Sequence, residues 1–221
     1  MGDRSSVTYA ALVLGATAVL AVSLMALPPP ARLATVIERF EQPDVPLTIA
    51  ADDRTCAIGI RGDFDNTLYQ GLRHTLETHP GTHAVLLNSA GGSAFGITRV
   101  AELLREHNVA TAVMYGQCDS ACAFLWVSMP RRIIASAGGS GSPGFHAPHV
   151  TLPWLGRLRA LTQDAEQRSY LDSVGLPQRF IDWAYVPIDN FWRPDAHALS
   201  SIGVATKSVL TRFPERLSFC T

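Results

Sequence analysis

Short, predominantly apolar runs separated by amphipathic stretches fill the middle of this 221-residue chain. Ala84-Val85-Leu86-Leu87, residues 110–114 and Ile133-Ile134-Ala135 are short enough for strands and too uniformly apolar for a sheet with one wet face. They read as strands buried on both sides, as in a parallel sheet covered by helices. The stretches at 94–106 and 120–127 supply such helices. Each parallel strand must be reached by a crossover, so this alternation restricts the fold to the α/β class with mostly parallel strands. No solenoid-type repeat is visible.

The flanks extend the pattern. Residues 47–60 alternate loosely and predict one or two strands, interrupted by the turn Asp52-Asp53-Arg54. Asp65 can cap a helix whose apolar stripe is Leu68, Leu72, Thr75 and Leu76, and His79-Pro80-Gly81 ends it. Residues 138–144 form a glycine/serine loop. A long amphipathic helix is predicted over 155–174, stopped by Gly175-Leu176-Pro177, then helices over 178–185 and 196–201 and a closing strand over 202–206.

The first forty residues are different in kind. Residues 5–31 carry no charge, and 7–27 are almost wholly apolar. At about 1.5 Å per residue that length spans the roughly 30 Å of a bilayer's hydrocarbon. An uncleaved transmembrane anchor is therefore favoured over a signal peptide, whose apolar core is about 7–15 residues, although Ser23-Leu24-Met25-Ala26 offers small residues for cleavage. Pro28-Pro29-Pro30 stops the segment. The expected organisation is a membrane anchor or signal segment at 1–30, a linker at 31–46 and the α/β domain at 47–221.

Four cysteines, Cys56, Cys118, Cys122 and Cys220, allow two disulfides in an oxidising compartment. Of the three pairings, Cys118 with Cys122 would brace Ser120 from both sides and leave Cys56 to Cys220. That bridge requires Cys118 to precede the helix, because an i,i+4 pair on a regular helix is about 5–6 Å apart at Cβ. Four reduced thiols are the alternative. The cysteines favour an arrangement with the amino terminus in the cytoplasm and the domain on the far side of the membrane. A net charge of −1 gives no basic face for nucleic acid.

Three blocks carry the chemistry: Asn88-Ser89-Ala90-Gly91-Gly92-Ser93, Cys118-Asp119-Ser120-Ala121-Cys122, and Gly144-Phe145-His146-Ala147-Pro148. A glycine pair after a buried strand lets backbone approach a ligand closely. Ser120 sits where a strand-to-helix turn exposes its hydroxyl beside free helix-terminal amides; its bland reading is an N-cap. Serine needs a neighbouring base, and His146 in its Pro/Gly-flanked loop can be that base. His149 is the rival, while the remaining histidines read as solvated. No spacing among these residues suits a metal, so neither metal nor cofactor is expected.

These blocks and their spacing resemble the serine peptidase subunit of the Clp protease, the SppA-type signal-peptide peptidases and, most closely, the predicted periplasmic ClpP-like proteins. The likeness runs over residues 56–206. It implies the ββα spiral of the ClpP/crotonase group and a serine peptidase acting on a peptide or protein substrate. It implies an oxyanion hole from the backbone of Gly91, with Gly92 shaping the turn, and of Ala121. The Asp-x-Phe at Asp189 matches the family's third catalytic position, with Asp182 and Asp195 as alternatives; the gap from Asp189 to the following glycine is longer than the family's. SppA-type enzymes use lysine as base, but the single lysine, Lys207, lies outside the motif stretch, so a Ser/His arrangement remains. The resemblance also allows a homo-oligomer, a non-catalytic scaffold assembling through the 155–185 helices, or an acyl-CoA enzyme of the crotonase type. The export segment argues against the last, and with it the resemblance implies a domain facing the periplasm from a bacterial inner membrane, or exported to the periplasm.

Overall fold

The computed structural model describes residues 45–136, 141–152, 154, 156–185, 190–211 and 217–220. The expected membrane segment and most of the linker lie outside them. Among the described residues no helix is long and apolar enough to cross a membrane.

Strands β1 (Thr48–Asp52) and β2 (Ala57–Arg61) form an antiparallel pair, Thr48 opposite Arg61. From β2 the chain adds parallel neighbours one at a time: β3 (Ala84–Ser89), β4 (Thr111–Cys118) and β5 (Arg131–Ser136). Each step is a crossover through a helix: α1 (Leu68–Thr78), α2 (Ile97–Glu106), then α3 (Ala121–Ser128). The sheet order β1-β2-β3-β4-β5-β8 is closed by β8 (Lys207–Leu210), parallel to β5.

Strand periodicity divides the core. Ile58, Ile60, Val85, Leu87, Ala112, Met114 and Ile134 face the helices in one large cluster. Their neighbours Ala57, Ala84, Leu86, Val113 and Ala135 form a second cluster on the other face, where Phe219 packs. The α1 stripe is buried at Leu68, Leu72 and Leu76, four residues apart as a helix face requires. Helix α3 is buried at all eight positions, which explains its apolar run from Ala121 to Val127. A helix that cannot move without opening the core holds its first turn in a fixed place.

Three expectations are corrected. The helix predicted over 155–174 is a hairpin followed by a shorter helix: β6 (His149–Leu152) pairs antiparallel with β7 (Gly156–Arg159), and α4 is Leu161–Ser173. Gly156, at φ 70°, turns the chain where the amphipathic pattern suggested continuity. The strand expected over 202–206 lies instead at β8. Gly203, at φ 87°, ends α6 (Ala196–Ser201), its N–H donating to Ser200 O and that of Val204 to Leu199 O, so these residues terminate a helix. Helix α2 begins three residues later than predicted, behind Gly96 at φ 72°. Helix α5 (Gln178–Ala184) stands where expected.

Both bridges of the favoured cysteine pairing are formed, Cys118–Cys122 and Cys56–Cys220. Cys118 is the last residue of β4 and Cys122 the second of α3, so the short bridge spans the strand–helix junction.

Candidate active site

The carboxyl ends of β3 and β4 meet in a crevice, the usual ligand position in a parallel sheet. At the end of β3, Asn88 and Ser89 shape the turn that carries the glycines. Ser89 Oγ accepts from Gly91 N–H at 3.0 Å, tightening the approach to the glycine pair. Between Leu87 and Ser89 the pairing with β4 shifts register, from Met114 to Cys118. Asn88 fills the resulting bulge: its Oδ1 accepts from Gln117 N–H at 3.2 Å, and it sits where a Cβ on Gly116 would be. The bulge delivers Cys118, Asp119 and Ser120 against the glycines.

Ser120 has φ 54° and ψ −122°, a conformation that costs a non-glycine residue of order 1–3 kcal/mol. The surroundings over-determine it. Ser120 N–H donates to Gly144 O at 2.7 Å, Asp119 N–H to Ser89 O at 3.2 Å, and Gly144 N–H to Cys118 O at 2.9 Å. The Cys118–Cys122 bridge closes the turn covalently. A Cβ on Gly91, itself at φ 104°, would lie 2.6 Å from Ser120 Cβ, so only glycine allows this approach. Gly92 is equally restricted, because a Cβ there would strike the backbone of Phe64. The amides of Gly92 and Ala121 make no hydrogen bond among the described residues. That of Gly91 is spent on Ser89.

His146 follows a strand-like segment in which Gly144 pairs with Asp119 and Phe145 with Trp192. Its ring and Ser120 line one cavity of about 310 Å³ without a direct hydrogen bond, together with Asp63, Phe95, His149 and Phe191. A smaller recess of about 20 Å³ behind them reaches Gln167 and Tyr185. His146 Nδ1 is 2.7 Å from Ala147 O. A carbonyl only accepts, so Nδ1 carries the proton and Nε2 keeps its lone pair. Burial is the main cause that lowers the imidazole's pKa below its usual 6.5; the Ala147 carbonyl and Asp119 oppose the shift, and Arg157 adds to it. The shift favours the neutral ring, the form that a base needs.

Of the other sequence candidates, His149 stands beside His146, their ring centroids 5.2 Å apart. Asp182 is on the outer side of α5, where its Oδ1 accepts from Gln178 at 2.9 Å and lies 3.7 Å from Arg168. Asp195 caps α6 through Ala198 N–H at 2.7 Å. Asp189 lies outside the described residues. Lys207 starts β8 and lines a separate cavity with Arg131 and Arg132. Among the described residues no group of acids, histidines and cysteines could hold a metal.

Sequence reasoning missed the contacts that join the blocks. Asp119, only 2% exposed, receives both Nη atoms of Arg193 at 2.7 and 2.9 Å and Gln117 Nε2 at 2.8 Å. Phe191 packs edge-on against His146 with centroids 4.8 Å apart. The acid in Cys-Asp-Ser was the one available signal.

No protein-family model and no curated protein matches the sequence. Solved structures do. The ClpP protease catalytic domain from Plasmodium falciparum superposes with a TM-score of 0.50 at 14% identity, over 69% of this chain and 83% of that one. A serine-to-alanine mutant of the 1510-N membrane-bound stomatin-specific protease gives 0.53 at 14%, over 71% and 79%. The chain has a ClpP-like fold. A lysine-to-alanine mutant of the same stomatin-specific protease, in complex with a substrate peptide, is similar at a TM-score of 0.51 and 14% identity, over 71% and 74%. At 14% identity the superpositions show the ClpP-like architecture alone, and the chemistry rests on the residues of the site itself.

Proposed function

We propose that this ClpP-like chain is a serine hydrolase, most directly a peptidase, with Ser120 as nucleophile and His146 as base. The observation that carries this reading is the strained backbone of Ser120 at the mouth of α3, facing the same cavity as a neutral imidazole whose Nε2 is available. Non-glycine residues are held at such angles where the hydroxyl must be presented, as on the strand-to-helix elbow of other hydrolases.

In the proposed cycle Ser120 Oγ attacks a substrate carbonyl while His146 Nε2 takes its proton. The tetrahedral oxyanion is held by the N–H groups of Ala121 and Gly92, and Gly91 provides the room. Collapse expels the amine, protonated by His146, and leaves an acyl-enzyme that water hydrolyses by the same route in reverse. Asp189 is proposed as the third group, supported by its place two residues before Phe191 and by the engagement of Asp182 and Asp195 elsewhere. Its carboxylate would orient Nδ1, the atom Ala147 O now holds.

The apolar segment at 7–27 supports membrane anchoring, and two disulfides support a periplasmic domain. A fluorophosphonate probe tests the chemistry: the wild-type protein should label, and Ser120→Ala should not. Absence of wild-type labelling overturns the hydrolase reading. A second reading, an assembling scaffold, is favoured by Trp154 (80% exposed) and Leu161 (72%) beside the hairpin. A stable oligomer on gel filtration that does not label would support it.

A further inference from the structure

We infer that the Asp119–Arg193 pair is a positioning device that sets Ser120 and His146 against one another. The inference rests on the hydrolase reading for its catalytic meaning, and on geometry for its existence.

Asp119 immediately precedes Ser120, and its carboxylate is buried between three segments of chain. From one side Gln117 Nε2 donates at 2.8 Å, which ties the carboxylate to the end of β4. From another, Gly144 passes so close that a Cβ there would collide with Asp119 Oδ1 and lie 2.9 Å from the Phe191 ring. Gly144 is two residues before His146, and its carbonyl accepts the Ser120 amide. From the third side Arg193 closes a two-pronged bond, Nη1 to Oδ1 at 2.7 Å and Nη2 to Oδ2 at 2.9 Å.

Arg193 does more than neutralise Asp119. Its guanidinium carbon lies 4.8 Å from the centroid of Phe191, and Phe191 is the ring set edge-on against His146. One planar fork thus touches the nucleophile's neighbour on one side and the aromatic wall of the base on the other. A planar, two-pronged cation fixes orientation as well as charge, which a lysine cannot do. Asp119 is held by one hydrogen bond from its own strand already; Arg193 brings in a segment 74 residues further along.

The pair also acts on His146 through space. Asp119 favours the imidazolium form, Arg157 on β7 disfavours it, and His149 on β6 and Asp63 across the cavity share the surroundings. Arg193 holds its positive charge against that carboxylate, and by Coulomb's law a cation so placed opposes the acid's field at the ring. Removing the cation and removing the acid should therefore move the imidazole's titration in opposite directions, an outcome that simple loss of packing does not produce.

The test uses the full chain with Asp119→Asn, Arg193→Met and Arg193→Lys, each checked for folding by circular dichroism. The His146 ring is titrated by NMR, and the rate of fluorophosphonate labelling is followed against pH. Arg193→Met should raise the imidazole midpoint and Asp119→Asn should lower it. Both should slow labelling of Ser120 by roughly 10²-fold, the scale expected for about 1 Å of misplacement. Arg193→Lys should restore the midpoint and only part of the rate. If one variant fails to fold, the sign of the shift in the other decides. Midpoints that stay put or move together, with lower thermal stability, overturn the inference. The NMR titration needs no activity, so a wild-type protein that fails to label ends the hydrolase reading while the coupling is still judged.

Discussion

The two disulfides are the same bond put to different purposes. Cys56–Cys220 closes a separation of 164 residues and pins the chain's end to the β1–β2 turn, where Phe219 N–H also donates to Thr55 O at 2.8 Å. Cys118–Cys122 closes a separation of four and encloses Ser120. In the chain-entropy account, the long loop restricts the unfolded ensemble by about 5 kcal/mol and the short one by about 2 kcal/mol. The long bridge is a device of stability. The short bridge stabilises less and holds a strained serine, which shows that a crosslink's worth depends on what lies inside its loop.

The largest effect expected from testing this contrast is on stability. Cys56→Ser with Cys220→Ser should lower unfolding free energy by about 5 kcal/mol in denaturant titrations, while the folded fraction keeps its labelling rate. A matching loss of labelling rate would break the contrast. Next comes the group that orients the base. Asp189→Asn should reduce labelling about 10⁴-fold with little change in stability, as the same change in a catalytic triad does. A change below about 3-fold would leave the Ala147 carbonyl as the orienting group, within the range a single backbone hydrogen bond supplies.

Opening the short bridge should behave in reverse. Cys118→Ser with Cys122→Ser should cost only about 2 kcal/mol of stability but slow labelling about 10²-fold, because the turn can then relax toward ordinary backbone angles. Unchanged labelling would show that the hydrogen bonds to Gly144 and Ser89 suffice to hold Ser120. The smallest effect is the pH response. Since His146 titrates below 6.5, the acid limb of the labelling profile should fall below pH 6.5. Between that lowered value and 6.5 the unfolded chain binds more protons, so stability falls as pH drops through this window. A limb above 6.5 would point to another base.

Where short-range rules apply, the sequence already contains the structure. Buried strands at Ala84–Ser89 and Arg131–Ser136 and the α1 stripe follow from periodicity, because facing a core is a local property of spacing. Gly91, Ser120 and His146 were legible as types of residue in suggestive settings. The hairpin at His149–Arg159 was not, since a single glycine with a positive φ reverses a stretch whose composition suits a helix. The Arg193–Asp119 fork was invisible for a different reason. It joins positions 74 apart, and no local pattern marks an arginine that will find a buried acid.

The amino-acid order by itself determined the α/β alternation, the short turns and the residue types capable of acyl chemistry, because these depend on a few neighbouring positions. Only the tertiary structure decided which amides remain unspent, which way Ser120 is twisted and what surrounds His146. Those properties arise from contacts between distant segments, and each depends on distances that exist only once the chain has closed on itself.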